Sequence, residues 1–159
     1  MLGAAHSRHR VTGGAAKFRT RSRILARTMV HDMDAEALRA QVRLICLAFP
    51  GTAEVVNNPA HSGFTVNGKT FCSFLNDPHG DGIVGVTCKA MPGVQAALID
   101  MDRERFYLPA YLHRHGWIGM RLDLEPVDWA HLEQLLTEAY LASAPRKMAR
   151  EWEASRLVT

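Results

Sequence analysis

The residues best suited to chemistry in this chain lie in one short basic loop. His113, Arg114 and His115 separate two apolar runs in the stretch from Tyr107 to Leu124. Because loops lie on the surface while the neighbouring strands hold them in place, the pattern predicts two strands joined by a loop able to bind. The trio could contact phosphate, hold a metal ion through its two histidines, or form a solvated turn. No third ligand is evident nearby, so the turn is favoured and no metal is predicted.

A second polar loop, residues 76–82 (NDPHGDG), carries Asp77, His79 and Asp81. Its acids are similar to the start of a cation-binding loop, but the further spaced ligands and the terminal Glu of a calcium loop are missing. Asn, Asp and Gly are also preferred in turns, because they tolerate positive φ and bond to nearby backbone groups. The loop is therefore predicted to be a turn.

The chain carries no sequence signature of an enzyme. GxSxG, P-loop, dinucleotide-binding and HExxH motifs are all missing. Cys46, Cys72 and Cys88 lie in apolar runs without CxxC spacing, where a free cysteine behaves as a small buried hydrophobe. That pattern indicates a reducing compartment and neither a disulfide framework nor a zinc site. We predict a cytoplasmic, non-enzymatic protein without a cofactor.

The positive charge of the chain is concentrated at its N-terminus. Of 19 basic residues, seven precede residue 28, where no acid occurs, and the rest of the chain carries 12 basic against 16 acidic residues. Residues 1–30 could be a transit peptide, a nucleic-acid-binding arm or an upstream extension with the functional start at Met29 or Met33. The extension is favoured, and the segment is predicted to be disordered because it cannot bury enough apolar surface.

Beyond that segment, helix and strand patterns alternate. A helix is predicted from Asp34 as N-cap, with Leu38, Val42, Ile45 and Phe49 on the inner face and with Arg39 and Arg43 opposite; it ends at Pro50-Gly51. Strand patterns follow at residues 54–57, 63–66, 69–75 and 83–89. The Asn67-Gly68 pair predicts a two-residue hairpin turn.

The second half repeats the pattern on a smaller scale. Residues 92–102 predict a helix, residues 106–124 two strands, and a helix starts at residues 126–128. The buried stripe of that last helix is predicted to be Leu132, Leu135, Leu136, Ala139 and Tyr140. Residues 148–159 form a helical or frayed end. Segregated strands and helices indicate an α+β fold, an antiparallel sheet of about five strands with helices packed on one face, in the order αβββαββα.

Several segments, in this order, resemble the MmcQ/YjbR family of small bacterial proteins. They are residues 49–52 (FPGT), 64–71 (FTVNGKTF), 85–89 (GVTCK), 109–111 (PAY), Trp117, 119–123 and 132–145. The resemblance covers roughly residues 34–147, and the corresponding domain is predicted at residues 31–147. It implies the same αβββαββα arrangement, which is similar to secretion-chaperone-like folds, and a double-wing mode of DNA binding.

The leading functional prediction is therefore contact with the phosphate backbone of double-stranded DNA through wing-like loops. The residues predicted to make it are Lys69, Lys89, Arg103, Arg105, His113, Arg114 and Arg121. Lys69, beside the hairpin turn, is the best single candidate. The alternative is an interaction module that binds a protein or a small ligand on the exposed face of the sheet, which agrees better with the acidic balance. Trp117 is predicted at the core or its edge. Tyr111 is ambiguous, because a tyrosine next to a loop can pack its ring and expose its hydroxyl. No membrane span is predicted.

Overall fold

The computed structural model of the protein describes residues 34–158, so the predictions for residues 1–30 lie outside the described residues. Helix α1 occupies residues 34–47 of that part. Val42 and Phe49 are buried, as their helical spacing predicts. Residue 34 is already helical, so Asp34 is not the cap residue that the sequence predicted.

The prediction for the basic residues of α1 is wrong. Arg39, predicted on the outer face, is only 6% exposed. Its guanidinium donates to the Pro59 carbonyl at 2.7 Å and to the Ser62 hydroxyl at 2.5 Å, and it lies 3.5 Å from the Glu54 carboxylate. Arg43 donates to the same carboxylate at 2.6 Å. Both cations therefore bind residues 54–62, because an acid and a hydroxyl there accept hydrogen bonds from the guanidinium groups.

Six strands form one antiparallel sheet, which confirms the α+β fold. They are β1 Thr52–Asn58, β2 His61–Val66, β3 Lys69–Asn76, β4 Val84–Lys89, β5 Phe106–Tyr107 and β6 Trp117–Arg121. Their order in the sheet is β1-β2-β3-β4-β6-β5. The count exceeds the predicted five because β1 is a full strand of the sheet. The short pattern at residues 54–57 extends to seven residues, which pair with β2.

The β2–β3 hairpin closes through the predicted two-residue turn. Asn67 and Gly68 have φ of 49° and 74°, the left-handed conformation that a type I′ turn requires at both positions. Asn tolerates this region better than most side chains, and Gly enters it without a steric penalty. Residues 67–68 thus determine the pairing of Val66 with Lys69 and of Thr65 with Thr70, and the register shifts by one residue beyond Thr65.

The remaining helices are α2 Val94–Met101, a 3₁₀ turn at His113–His115, α3 Trp129–Ser143 and α4 Arg146–Arg156. The Asp128 carboxylate caps α3 by accepting a hydrogen bond from the His131 amide at 2.9 Å. The buried residues of α3 are those predicted from the sequence, namely Leu132, Leu135, Leu136, Ala139 and Tyr140. Across residues 34–158, no helix is long and apolar enough to cross a membrane.

The core lies where α1 and α3 meet one face of the sheet, and an aromatic cluster joins α4 to it. The Phe49 ring stacks on Tyr140 at 4.7 Å between centroids and meets the rings of Phe71 and Trp152 edge-on at 6.1 and 5.3 Å. The Tyr140 hydroxyl donates to the Pro50 carbonyl at 3.0 Å, so its one polar group stays satisfied. Side chains of β3, β4 and β6 that point to this face are buried against the helices.

The opposite side of the sheet, here called the open face, presents a different row. Ser73, Thr87, Gly119 and Tyr107 are paired in register across β3, β4, β6 and β5, so their side chains share that face. The buried row Phe74, Val86, Met120 and Phe106 alternates with it along the same strands and faces the helices. Tyr107 and the chain segments on either side of it therefore decide how far the open face is covered.

Candidate binding site on the open face of the sheet

Three of the seven predicted DNA contacts are already bound to aspartates. Arg103 lies 3.6 Å from Asp100. Arg105 lies 3.6 Å from Asp102 and donates to the Leu124 carbonyl at 3.0 Å. An aspartate beside an arginine offsets part of its positive field and occupies some of its donors, which weakens the phosphate contact that the arginine can make; the effect is smallest at Arg103, whose side chain is 80% exposed.

Arg121 is the most tightly held of the three. Its Nη2 and Nε donate to the two carboxylate oxygens of Asp123 at 2.6 and 3.2 Å. Burial pushes the pKa of Asp123 upward, but the hydrogen bonds and charge of Arg121 outweigh it and lower that pKa below its usual value. The same hydrogen bond raises the pKa of Arg121. This end of the sheet is therefore a neutralised surface.

The other four predicted residues lie at the opposite end of the sheet, where none forms an ion pair within residues 34–158. Lys89 ends β4, and the amide after it donates to Gly116, beside the 3₁₀ turn that carries His113 and Arg114. Lys69 pairs in register with the buried Val66, so its side chain leaves the backbone on the face of the sheet that the helices cover. Lys89 pairs with Trp117 and shares the open face with Thr87. The four are grouped at one end but divided between two faces.

The histidine trio forms a turn of 3₁₀ helix, in agreement with the turn that the sequence favours. His113 Nδ1 lies 3.1 Å from the Pro109 carbonyl oxygen. In a 3₁₀ helix, with three residues per turn, residues two apart point in different directions, so His113 and His115 do not share a side. The described part of the chain contains no group of three or more His, Cys, Asp or Glu side chains able to hold a metal ion.

The acids of the 76–82 loop act on their own backbone, as the turn interpretation predicts. Asp77 accepts from the Gly82 amide at 2.7 Å, and Asp81 accepts from the Ile83 amide at 3.0 Å. Asp77 and both glycines of the second half of the loop have positive φ. These bonds fold the β3–β4 connection against the open face.

A cavity of about 310 Å³ lies on the open face between this loop and residues 108–112. Its walls are mainly apolar, and their polar members are few. The lining residues are Leu75, Pro78, His79, Asp81, Ile83, Thr87, Tyr107, Leu108, Pro109, Ala110, Tyr111 and Leu112. A concave, largely apolar space with a few polar groups is typical of small-ligand sites.

Thr87 is the unusual member of that lining. The residue is 1% exposed, and its hydroxyl oxygen has no hydrogen-bond partner among the described residues. Ser73, paired with it in register, makes no hydrogen bond to it within that part. A buried hydroxyl without a partner costs about 1–3 kcal/mol, a cost that a valine of similar shape avoids. Reasoning from the sequence missed this residue, because no local pattern marks Thr87 as a hydroxyl without a hydrogen-bond partner.

Tyr107 supplies part of the cavity wall by lying over a glycine. A Cβ atom on Gly119 would stand 2.3 Å from the Tyr107 ring, so the ring occupies the space that glycine leaves open. Burial raises the pKa of Tyr107 to about 12. The phenol is therefore neutral at physiological pH, and the wall that it forms carries no charge.

The rim of the cavity exposes apolar side chains. Leu108 is 52% exposed, Tyr111 88% and Leu112 37%. Tyr111 also has φ of 65°, a conformation that costs free energy for a residue with a bulky side chain. Its ring is exposed together with its hydroxyl, which resolves the ambiguity that the sequence left. Trp117 is half-buried, as predicted for the edge of the core, but it lies on the open face.

A second depression, about 400 Å³, runs along α3 beside Arg156. Glu133, Gln134, Thr137 and Glu138 line it, and the Glu133 carboxylate is 3.7 Å from Arg156. It contains no buried group short of a hydrogen bond. The open-face cavity is therefore the better candidate site.

Comparisons with known proteins agree with this architecture. Among solved structures, the chain is similar to the Deinococcus radiodurans protein DR2400, which carries a DUF419 domain, with a TM-score of 0.53 and 20% identity over 64% of this chain and 74% of that chain. At that identity the likeness shows the fold alone. No curated protein matches the chain. The model of the YjbR family matches residues 47–142, more than half of the sequence. The chain belongs to the YjbR family.

Proposed function

We propose that this protein is a non-catalytic binding protein whose binding site is the cavity on the open face of the sheet. The observation that carries the proposal is the cavity itself, an apolar space whose rim exposes Leu108, Tyr111 and Leu112. Exposed apolar groups around a concave site are what a ligand covers on binding. This is the second of the two functions that the sequence suggests, and it agrees with the acidic balance of the chain beyond residue 28.

The ionisable groups support binding in preference to catalysis. Desolvation raises the pKa of Cys72 well above its usual value and that of Cys88 to about 12, so neither thiol supplies a thiolate nucleophile near neutral pH. The phenol of Tyr107 stays protonated there as well. The three thiols are free and buried, which suits a reducing, cytoplasmic compartment.

The test is a screen of small neutral molecules against the ¹⁵N-labelled full chain, with amide shifts as the readout. Binding should shift amides of residues 77–83 and 107–112. The variant Ala110→Trp, at an exposed lining position, should obstruct the cavity and abolish those shifts. Ala130→Trp, at an exposed position on α3, is the matched control and should leave them unchanged. Absence of any such shift, or hits that survive Ala110→Trp, would refute the proposal.

DNA binding is the second candidate, because three cations, Lys69, Lys89 and Arg114, lie with His113 at one end of the sheet and have no acidic partner in the described part of the chain. The proposed contact is with the phosphate backbone, as the family resemblance implies. The residues that would make this contact are Lys69, Lys89, His113 and Arg114, and the three arginines paired with aspartates take no part in it.

Fluorescence anisotropy of a mixed-sequence duplex across a salt series tests that contact. The double variant Lys89→Ala/Arg114→Ala should weaken binding and reduce the slope of log K against log salt by about 0.9 per lost phosphate contact. Lys147→Ala/Arg150→Ala removes the same charge from exposed positions on α4 and controls for net charge. Equal effects of the two double variants would eliminate a specific role for the Lys89 end.

A further inference from the structure

We propose that the open-face cavity holds a small, uncharged, mainly apolar molecule with one hydrogen-bonding group, and that the Thr87 hydroxyl is the partner of that group. The inference rests on the proposed function and specifies its ligand. It starts from one buried hydroxyl in the wall of the cavity that no described residue satisfies.

The position of Thr87 makes a partner within the fold difficult to supply. Along its row, the neighbours are Ser73 on β3 and Gly119 on β6, and Gly119 has no side chain to offer. The Tyr107 ring lies over Gly119 and closes that side with carbon atoms. Rotation about χ1 moves a threonine hydroxyl among three staggered positions, so a side chain that lines the cavity can present its hydroxyl to it. A ligand group is then the missing partner.

The charges around the cavity indicate a neutral ligand. Asp81 is the acid in the lining, and it repels an anion. A cation would lose its hydration among Leu75, Ile83 and Leu108, while Asp81 is already engaged by the Ile83 amide. The Thr87 hydroxyl is neutral and serves equally as donor or acceptor, so it satisfies a hydroxyl, carbonyl or amide without a charge.

The dimensions limit the ligand to a small molecule. The cavity volume of about 310 Å³ is at the lower end of the range for ligand pockets, enough for a ring with short substituents. The apolar walls would enclose such a ring, and its polar group would reach the floor at Thr87. Phenols are the simplest molecules that combine these two parts.

The experiment compares p-cresol with toluene, which has the same ring and methyl group without the hydroxyl. Each is titrated into the ¹⁵N-labelled full chain, and the dissociation constants are taken from the amides of residues 77–83 and 107–112. The wild-type chain should bind p-cresol about 3- to 10-fold more tightly than toluene, the advantage of one buried hydrogen bond. Thr87→Val, which keeps the shape, should remove that preference by weakening p-cresol alone, and Thr87→Ser should retain it.

Two further probes and one further variant make the assignment specific. The anion p-toluate and the cation 4-methylbenzylamine should bind more weakly than p-cresol, and equal or tighter binding of either would overturn the neutral class. If Tyr107→Phe removes the preference and Thr87→Val does not, the partner is the phenol of Tyr107 and the assignment is wrong. If both neutral probes bind equally to the wild type and Thr87→Val, the cavity binds ligands but the inference fails. If neither probe shifts those amides, the ligand class is wrong, and the screen of neutral molecules decides separately whether the open face binds at all.

Discussion

Replacing Glu54 by Gln is expected to destabilise the domain by about 2–4 kcal/mol, because two arginines depend on that carboxylate. Arg39, whose side chain is 8% exposed, is 3.5 Å from it, and a buried hydrogen bond to a charged partner contributes about 1.5–3 kcal/mol. Arg43, 35% exposed, donates at 2.6 and 3.1 Å, but solvent screening reduces that pair to about 0.2–1 kcal/mol. Glutamine keeps a hydrogen-bonding oxygen but leaves the buried Arg39 guanidinium with only the exposed Glu36 carboxylate, 3.9 Å away, as a charged partner.

The effect has a defined pH dependence. The hydrogen bond from Arg43 lowers the pKa of Glu54 although burial opposes it. A carboxyl group with a lowered folded-state pKa stabilises above its unfolded-state pKa of about 4.3 and loses that contribution as the pH falls through the folded-state value. The difference in unfolding free energy between wild type and Glu54→Gln should therefore be complete at pH 7 and shrink below about pH 4.

Urea denaturation at pH 7 and at pH 3 measures both expectations. Glu36→Gln is the matched control, because Glu36 is 64% exposed and 3.9 Å from Arg39, so its loss should change the unfolding free energy by less than about 0.5 kcal/mol. The reasoning fails if Glu54→Gln is as mild as this control at pH 7. It fails equally if the difference persists unchanged at pH 3.

Three other consequences of the structure can be measured. Gly119→Ala should lower the free energy of unfolding, measured by urea denaturation, by about 1–3 kcal/mol, because its Cβ would overlap the Tyr107 ring. Gly63→Ala, in the same row, would place its Cβ 3.7 Å from the nearest atom and should lower that free energy by no more than about 1 kcal/mol. Equal losses in the two variants would exclude steric overlap at Gly119. Cys88, with its pKa raised to about 12 by burial, should resist iodoacetamide at pH 8 in the native protein and react in urea, and native labelling would contradict its burial. Asp128→Ala should destabilise α3 by about 1 kcal/mol through loss of the cap, and an unchanged urea midpoint would show that the cap contributes nothing.

The candidate DNA contacts show where reasoning from the sequence alone stops. Arg103, Arg105 and Arg121 are as basic in the sequence as Lys69 and Lys89, and a count of charges treats all five alike. The structure separates them, because aspartates bind the first three and no acid of the described part binds the other two. Ion pairing depends on side-chain positions, which the spacing of residues along the chain specifies only within a turn or two.

The sequence by itself determined the elements of this protein and its family. The Asn67-Gly68 turn, the Asp128 start of α3 and the buried stripe of that helix were all predictable, because turn chemistry, capping and helical periodicity are local properties of the chain. Only the tertiary structure decided that Arg39 is buried and that Thr87 lies without a partner in a cavity wall. The Arg39 site is built by residues 15 to 23 positions apart, and the cavity by two segments that are separate in the sequence and meet over one face of the sheet. Burial and hydrogen-bond satisfaction depend on such distant neighbours, so no local pattern can report them.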